Sequence, residues 1–298
     1  MAGPMKKTLL SLGHGYSARA LARILIPQGW VIHGTTRSED KAQVLRDEGI
    51  VPHVVTDVVT DDAAIPEGWG AASHLLISAG PDADGDPMLR AYGAFLRDLA
   101  PRLDWAGYLS TTGVYGDHAG GWVDEDTALT PSTRRGQWRV AAEAEWRGID
   151  GLPLHIFRLA GIYGPGRGPF SKVRAGTARR IIKPGQVFSR IHVEDIAQVL
   201  AASIARPDPG AVYNLCDDDP APPQDVIGHA AALLGLPLPR EEDFVTAEMT
   251  PMARSFYAES KRVKNDKIKT DLGVALKYPT YKEGLADLLR LEESQGAG

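Results

Sequence analysis

A short apolar strand, a glycine-rich turn and an amphipathic helix follow one another near the start of the chain, and they constrain everything after them. Lys7 to Leu12 reads as a buried strand. Gly13 and Gly15 allow a sharp backbone turn where a Cβ would clash, with His14 between them. Tyr16 and Ser17 lead to Ala18, small enough to let a helix pack closely on a sheet. The helix then shows an apolar face through Ala20, Leu21, Ala22, Ile24, Leu25 and Ile26, and stops at Pro27 and Gly29. This is the strand–G-x-G-x-x-A–helix form of the dinucleotide-binding fingerprint. The helix start offers backbone N–H groups and a positive dipole end to a pyrophosphate. The plainer reading is a glycine turn that holds no ligand.

The remaining bounds come from composition. At 298 residues the chain can form one large α/β unit or two joined domains. Its hydrophobic share of 43% and charged share of 24% are those of an ordinary globular protein. A net charge of −5 sets up no broad field for nucleic acid or an anionic membrane, and neither is expected as a partner. Cys216 is the one cysteine, so no intrachain disulfide and no thiolate cluster can form. No apolar stretch approaches the roughly 20 residues of a membrane span. The apolar run at the start is broken too soon for a signal peptide, which leaves a cytoplasmic location as the default.

Trp30 to Thr35 reads as the second strand, ending at Thr35-Thr36-Arg37. The end of this strand lies beside the adenosine ribose in such folds. An acid there takes the ribose hydroxyls, whereas an arginine accommodates a 2′-phosphate. Thr36 and Arg37 therefore favour NADP over NAD. Arg37 can also be read as a solvated residue neutralised by Glu39 or Asp40. Lys41 to Glu48 is a helix and Ile50 to Val55 a third strand. Asp57 after it is either an acceptor for the adenine amino group or a turn residue. Ser73 to Ser78 is the fourth strand; Ser78, Ala79 and Gly80 are small enough for a cofactor ribose to approach the backbone. Pro81 to Pro87, with three aspartates, reads as a solvated loop without metal-ligand spacing. Asp86 to Leu103 follows as a helix and Trp105 to Leu109 as the fifth strand, ending in the hydroxyl cluster Ser110-Thr111-Thr112. Parallel strands separated by helices imply a doubly wound sheet, with ligands outside the carboxyl ends of the strands.

Several segments together resemble the extended short-chain dehydrogenase/reductases of the NAD(P)-dependent epimerase/dehydratase type. Beside the glycine turn, Ser110-Thr111-Thr112-Gly113-Val114-Tyr115-Gly116 is similar to that family's Ser-Ser-x-x-Val-Tyr-Gly. Arg158 to Gly166 resembles its Arg-x-x-x-x-Tyr-Gly-Pro-Gly. Ile191-His192-Val193-Glu194-Asp195 resembles its Ile-His-Val-Asp-Asp, and Tyr213-Asn214-Leu215 the strand that follows. The resemblance implies a Rossmann-type doubly wound parallel sheet with a small C-terminal α/β substrate domain. The expected division is 1–165 plus about 186–212 for NAD(P), and about 166–185 plus 213–298 for substrate. It implies a small-molecule substrate held near Thr111. Helices from Asp86 and from Thr133 resemble those that pair in family homodimers.

One feature of that family is missing. Its proton donor is a tyrosine with a lysine four residues on. Aligning Pro131 and Glu143 places Arg135 at the tyrosine and Arg139 at the lysine. Arginine is effectively always protonated and cannot serve as acid and base. Arg139 can still donate to the nicotinamide ribose, and Arg135 can hold a carboxylate or phosphate of the substrate. Alternatively both form solvated pairs with Glu143 and other acids. Tyr115, Tyr163 and His118 are the remaining candidates for proton transfer.

In the second half, Lys172, Arg174, Arg179, Arg180 and Lys183 make Phe170 to Pro184 basic, either toward an anionic substrate or as an ordinary solvated face. Asp217-Asp218-Asp219 reads as a turn and helix start rather than a metal site. Pro237 to Thr250 carries no clear pattern. The expected function is an NAD(P)-binding oxidoreductase or epimerase/dehydratase-like enzyme without the usual Tyr-x-x-x-Lys pair. The alternative is a redox-silent NAD(P)-binding sensor or regulator.

Overall fold

The computed structural model describes residues 7–55 and 64–296. In chain order its principal elements are β1 (Thr8–Leu12), α1 (Tyr16–Leu25), β2 (Val31–Thr36), α2 (Glu39–Asp47), β3 (Val51–Val54), β4 (His74–Ile77), α3 (Pro87–Leu99), β5 (Trp105–Thr111), β6 (Trp122–Val123), α4 (Arg134–Arg147), β7 (Leu154–Leu159) and β8 (Gly161–Tyr163). There follow α5 (Phe170–Arg174), β9 (Arg180–Ile182), β10 (Arg190–His192), α6 (Val193–Ala205), β11 (Val212–Leu215), α7 (Pro223–Leu233), β12 (Glu241–Asp243), α8 (Pro251–Phe256), β13 (Arg262–Val263), α9 (Asp266–Thr270) and α10 (Tyr281–Gly296).

The strands expected from the sequence form a seven-stranded parallel sheet in the order β11-β7-β5-β4-β1-β2-β3. Strand β1 sits inside it, with Leu10 opposite His33 of β2 and Leu75 of β4. An inner strand of a parallel sheet is buried along its length, and every residue of Thr8–Leu12 is buried, the polar Thr8 and Ser11 included. One core gathers Leu12, Ile77, Tyr92, Leu96, Tyr108 and Trp146.

The chain separates into two compact units. The first comprises Met1–Thr111, Arg134–Arg158 and Ile196–Tyr213; the second comprises Thr112–Thr133, Leu159–Asp195 and Asn214–Gly298. The expected division placed residues 112–133, 159–165 and 186–195 with the nucleotide part. They group with the C-terminal segments because their hydrogen bonds lie there. Strand β6 pairs in parallel with β13, and the Ser260 amide donates to Asp117 Oδ1 at 2.7 Å. The second unit has its own core around Tyr163, Phe170, Val226, Tyr281 and Leu285.

Three local readings change. Asp86 is not solvated: it is buried, caps α3 by accepting from the Met88 amide (2.8 Å), and accepts from Trp146 Nε1 (2.9 Å). The stretch Pro237 to Thr250 contains strand β12, which pairs with β9. Its residues are charged, so no apolar alternation marks it. The basic run is largely neutralised: Arg179 pairs with Glu242 (2.8 Å), Arg180 with Glu241 (2.9 Å) and Arg174 with Glu292 (2.5 Å).

Candidate dinucleotide site

The glycine turn is built as its sequence requires. Gly13 has φ +80°, and a Cβ there would stand 2.6 Å from the Ala79 amide nitrogen, closer than any side chain can approach. The turn is held from both sides. The Gly13 amide donates to Thr35 Oγ1 (2.6 Å) and the His14 amide to the Thr35 carbonyl (2.9 Å). The Ser78 amide donates to the Leu12 carbonyl (2.8 Å) and the Ser78 hydroxyl to the Gly13 carbonyl. Thus the carboxyl ends of β1, β2 and β4 meet at one turn. Gly15 precedes α1 with no side-chain cap and no acid in the helix's first turn; the nearby Glu48 carboxylate is held by Arg19. Ser17 and Ala18 are buried against the sheet.

His14 turns inward. Its ring lies on Gly34, where a Cβ would stand 2.9 Å from the His14 Cβ, so β2 needs a glycine at that point. Burial pushes the imidazole down to about 4, leaving it neutral. Thr36 is half-buried and Arg37 is exposed at the end of β2. Glu39, one suggested neutraliser of Arg37, is paired instead with Arg46 at 2.7 Å. Asp57 lies outside the described residues.

Arg139 lies close to the Ser78–Gly80 loop. Its guanidinium donates to the Tyr108 hydroxyl (3.0 Å) and to the Leu109 carbonyl (2.7 Å). A Cβ built on Gly80 would stand 3.4 Å from Arg139 Nη2, so the Ser78–Gly80 loop and α4 approach each other at this side chain. Tyr108 is fully buried, and burial pushes its hydroxyl up to about 12, with Arg139 acting in the opposite direction. It stays protonated at neutral pH. Thr111 ends β5, half-buried, and Arg135 is exposed one turn of α4 before Arg139, with no ion pair among the described residues.

The suggested pairing of these arginines with Glu143 is overturned. Glu143 is fully buried and accepts from Ser110 Oγ (2.5 Å) and from both Nε (3.2 Å) and Nη2 (3.0 Å) of the buried Arg158; Arg147 stands 3.3 Å away. It clamps α4 to β5 and β7. Tyr115 is likewise interior: it is fully buried and its hydroxyl donates to Asn214 Oδ1 at 2.7 Å. Its fixed place follows from Gly116 (φ +76°), where a Cβ would collide with the Thr130 carbonyl. His118 Nε2 lies 3.1 Å from the Tyr115 carbonyl, and burial pushes the Tyr163 hydroxyl well up. Sequence reasoning missed Tyr108 as the partner of Arg139; its place in the buried strand β5 marks it only as a core residue. Among the described residues no cluster of three His, Cys, Asp or Glu side chains can hold a metal ion, and no helix is long and apolar enough to cross a membrane.

A parallel sheet, a glycine turn between β1 and α1, and small residues at the end of β4 define a Rossmann-type protein of the extended short-chain dehydrogenase/reductase class. No protein-family model matches the sequence. Protein YeeZ of Escherichia coli (strain K12) is 30% identical over 288 residues, covering 92% of this chain and 97% of that protein. The chain belongs to the same family as YeeZ. A solved structure of a functionally unknown conserved protein from Silicibacter pomeroyi DSS is 61% identical, with a TM-score of 0.91 over 96% of this chain and 99% of that one. The dTDP-glucose 4,6-dehydratase of Bacillus anthracis str. Ames, solved in complex with NAD, shares the fold at 16% identity, with a TM-score of 0.75 over 97% of both chains.

Proposed function

We propose that the chain binds a nicotinamide dinucleotide, NADP in preference to NAD, and acts on a carbonyl or alcohol carbon of a small molecule. The observation that carries this reading is the Gly13 turn backed against Ala79, with Arg139 beside Gly80. A turn pinned this closely leaves the backbone N–H groups at the start of α1 unshielded by side chains, which suits a pyrophosphate. Gly13, His14, Gly15, Tyr16, Ser17 and Ala18 would hold the pyrophosphate. Thr36 and Arg37 would take the phosphorylated ribose, with Asp57 near the adenine. Ser78, Ala79, Gly80 and Arg139 would hold the nicotinamide half. The bound nicotinamide would supply or accept the hydride.

The chain's own residues then have distinct tasks. The Thr111 hydroxyl orients the substrate oxygen. Arg139 spends part of its fork on Tyr108 and Leu109 and directs the rest at the ribose hydroxyls. Arg135, exposed and without an ion pair among the described residues, suits an anionic group on the substrate. Neither arginine releases a proton. The buried Tyr115 drops out of the chemistry and serves the fold. The second unit supplies the substrate-binding part, α3 and α4 are the faces for a second copy of the chain, and the cytoplasm is the place of action. Loss of NADPH absorbance across a panel of aldehydes, ketones and nucleotide sugars tests the reading. Turnover that falls at least tenfold in Thr111→Ala supports it.

A second reading, a redox-silent sensor of NADP, is favoured by the absence of Tyr-x-x-x-Lys together with the commitment of Tyr115 to Asn214. Tight NADPH binding with no turnover across the panel selects it.

A further inference from the structure

The basic run that the dinucleotide reading leaves unused lines a cavity of about 560 Å³ within the second unit. We infer that this cavity, walled by Arg174, Arg179 and Arg240 over an apolar floor of Val173, Leu236 and Pro237, is a binding site for a small organic anion carrying a carboxylate or phosphate on an apolar body.

The arginines come from separate parts of the chain. Arg174 ends α5. Arg179 immediately precedes β9 and Arg240 immediately precedes β12, and these two strands pair in parallel with Arg180 opposite Glu241. The Arg180 amide donates to the Arg240 carbonyl at 2.9 Å, which sets Arg179 and Arg240 at the same end of the paired strands. Side chains so placed converge by strand register and not by chance of a mobile loop.

Their charges are not fully offset. Glu242 alone serves two of them: it pairs with Arg179 at 2.8 Å and also with Arg240. Arg174 pairs with Glu292 at 2.5 Å. Three guanidiniums thus face two carboxylates, and one positive charge remains. The guanidiniums are also wet. The Arg240 side chain is 75% exposed, while Glu242 is only 15% exposed, so the acid is fixed and the cations are within reach of solvent. An arriving anion gains a planar fork without first stripping a buried ion pair.

The floor decides what else the ligand carries. Val173 is buried against the second core, whereas Leu236 is 40% exposed. An exposed leucine and prolines beside arginines suit an amphipathic ligand better than a bare ion. The volume lies in the range of small-molecule sites. No residue of the site belongs to the dinucleotide cradle, so the inference stands or falls independently of the proposed activity.

Calorimetric titration of the full chain with phenyl phosphate, benzoate and inorganic phosphate, in low-chloride buffer, tests it. The titration is run without dinucleotide, and the arginine variants assign the binding to this cavity. Saturable binding of phenyl phosphate or benzoate is expected, the better of the two reporting whether phosphate or carboxylate is preferred. Inorganic phosphate binds at least tenfold more weakly. Arg240→Ala and Arg174→Ala each weaken binding about tenfold, the scale of one charged hydrogen bond. Glu242→Gln tightens it, because an internal competitor is removed. Circular dichroism verifies that each variant is folded; Arg240, being so exposed, is the variant least able to disturb the fold. No saturable binding of either aromatic anion overturns the inference. So does binding indifferent to both arginine substitutions, or inorganic phosphate binding as tightly as the aromatic anions, which marks an adventitious ion only.

Discussion

Arg139 donates to the Tyr108 hydroxyl at 3.0 Å and to the Leu109 carbonyl at 2.7 Å, so the residue at the family's lysine position is anchored to the strand that ends in Thr111. Both bonds leave from Nη1, so the rest of the fork is spared, whereas a lysine would have to make every contact from one nitrogen. Arg139→Ala leaves a buried hydroxyl without its donor. The expected cost is about 1–3 kcal/mol, read by urea denaturation. Arg139→Lys recovers the charge and only part of that loss. A cycle with Tyr108→Phe gives a coupling energy of at least about 0.5 kcal/mol; strict additivity would mean that the contact carries no energy.

Gly13 and Gly29 share a backbone conformation but differ in what a side chain would meet. Both have positive φ, +80° and +83°, but a Cβ on Gly29 meets nothing within 4 Å. Gly29→Ala should cost about 1 kcal/mol of strain and leave dinucleotide affinity unchanged. Gly13→Ala adds a collision with Ala79, and the proposed site predicts at least a tenfold loss of NADPH affinity in the folded variant. Equal affinities for the two variants would remove the cradle from the account.

Much of this was legible in the sequence because the determining contacts are local. The turn residues Gly13, Gly15 and Ala18 and the strand ends at Thr36 and Ser78 follow from spacing and residue size. What the sequence hid depends on contacts distant in the chain. Tyr108 finds Arg139 across 31 residues, and Arg158 finds Glu143 from another strand. Charged β12 pairs through ion pairs rather than an apolar stripe. Asp86 did carry a signal, an aspartate just before Pro87 at a helix start, which the reading of a solvated loop passed over.

Glu143 holds a buried Arg158 and Ser110 together beneath α4. Removing one partner of a buried pair leaves the other charge uncompensated. Glu143→Ala should therefore destabilise by about 3–5 kcal/mol in denaturant melts. A loss below about 1 kcal/mol, the scale of an exposed pair, would contradict the assignment.

Asp217 supplies the pH dependence. It is almost wholly buried, and desolvation pushes its carboxyl up to about 8, only partly offset by Arg190 and the Asp219 amide. An unfolded aspartate titrates near ~4. Between those values the folded chain keeps a proton that the unfolded chain has released, so this group's contribution to stability falls as pH rises through the window. Asp217→Asn, neutral and nearly isosteric, should match the native protein at pH about 4 and below and exceed its Tm progressively toward about 8. Parallel Tm curves across that range would show that the carboxyl titrates normally.

The central claim is that the Gly13 turn grips a phosphorylated dinucleotide. Calorimetry with NADPH, NADP, NADH and NAD on the native chain and on Arg37→Ala tests it most directly. The account predicts saturable binding that favours the phosphorylated pair, with that preference falling about tenfold when Arg37 is removed. No binding of any of the four at millimolar concentration would contradict it.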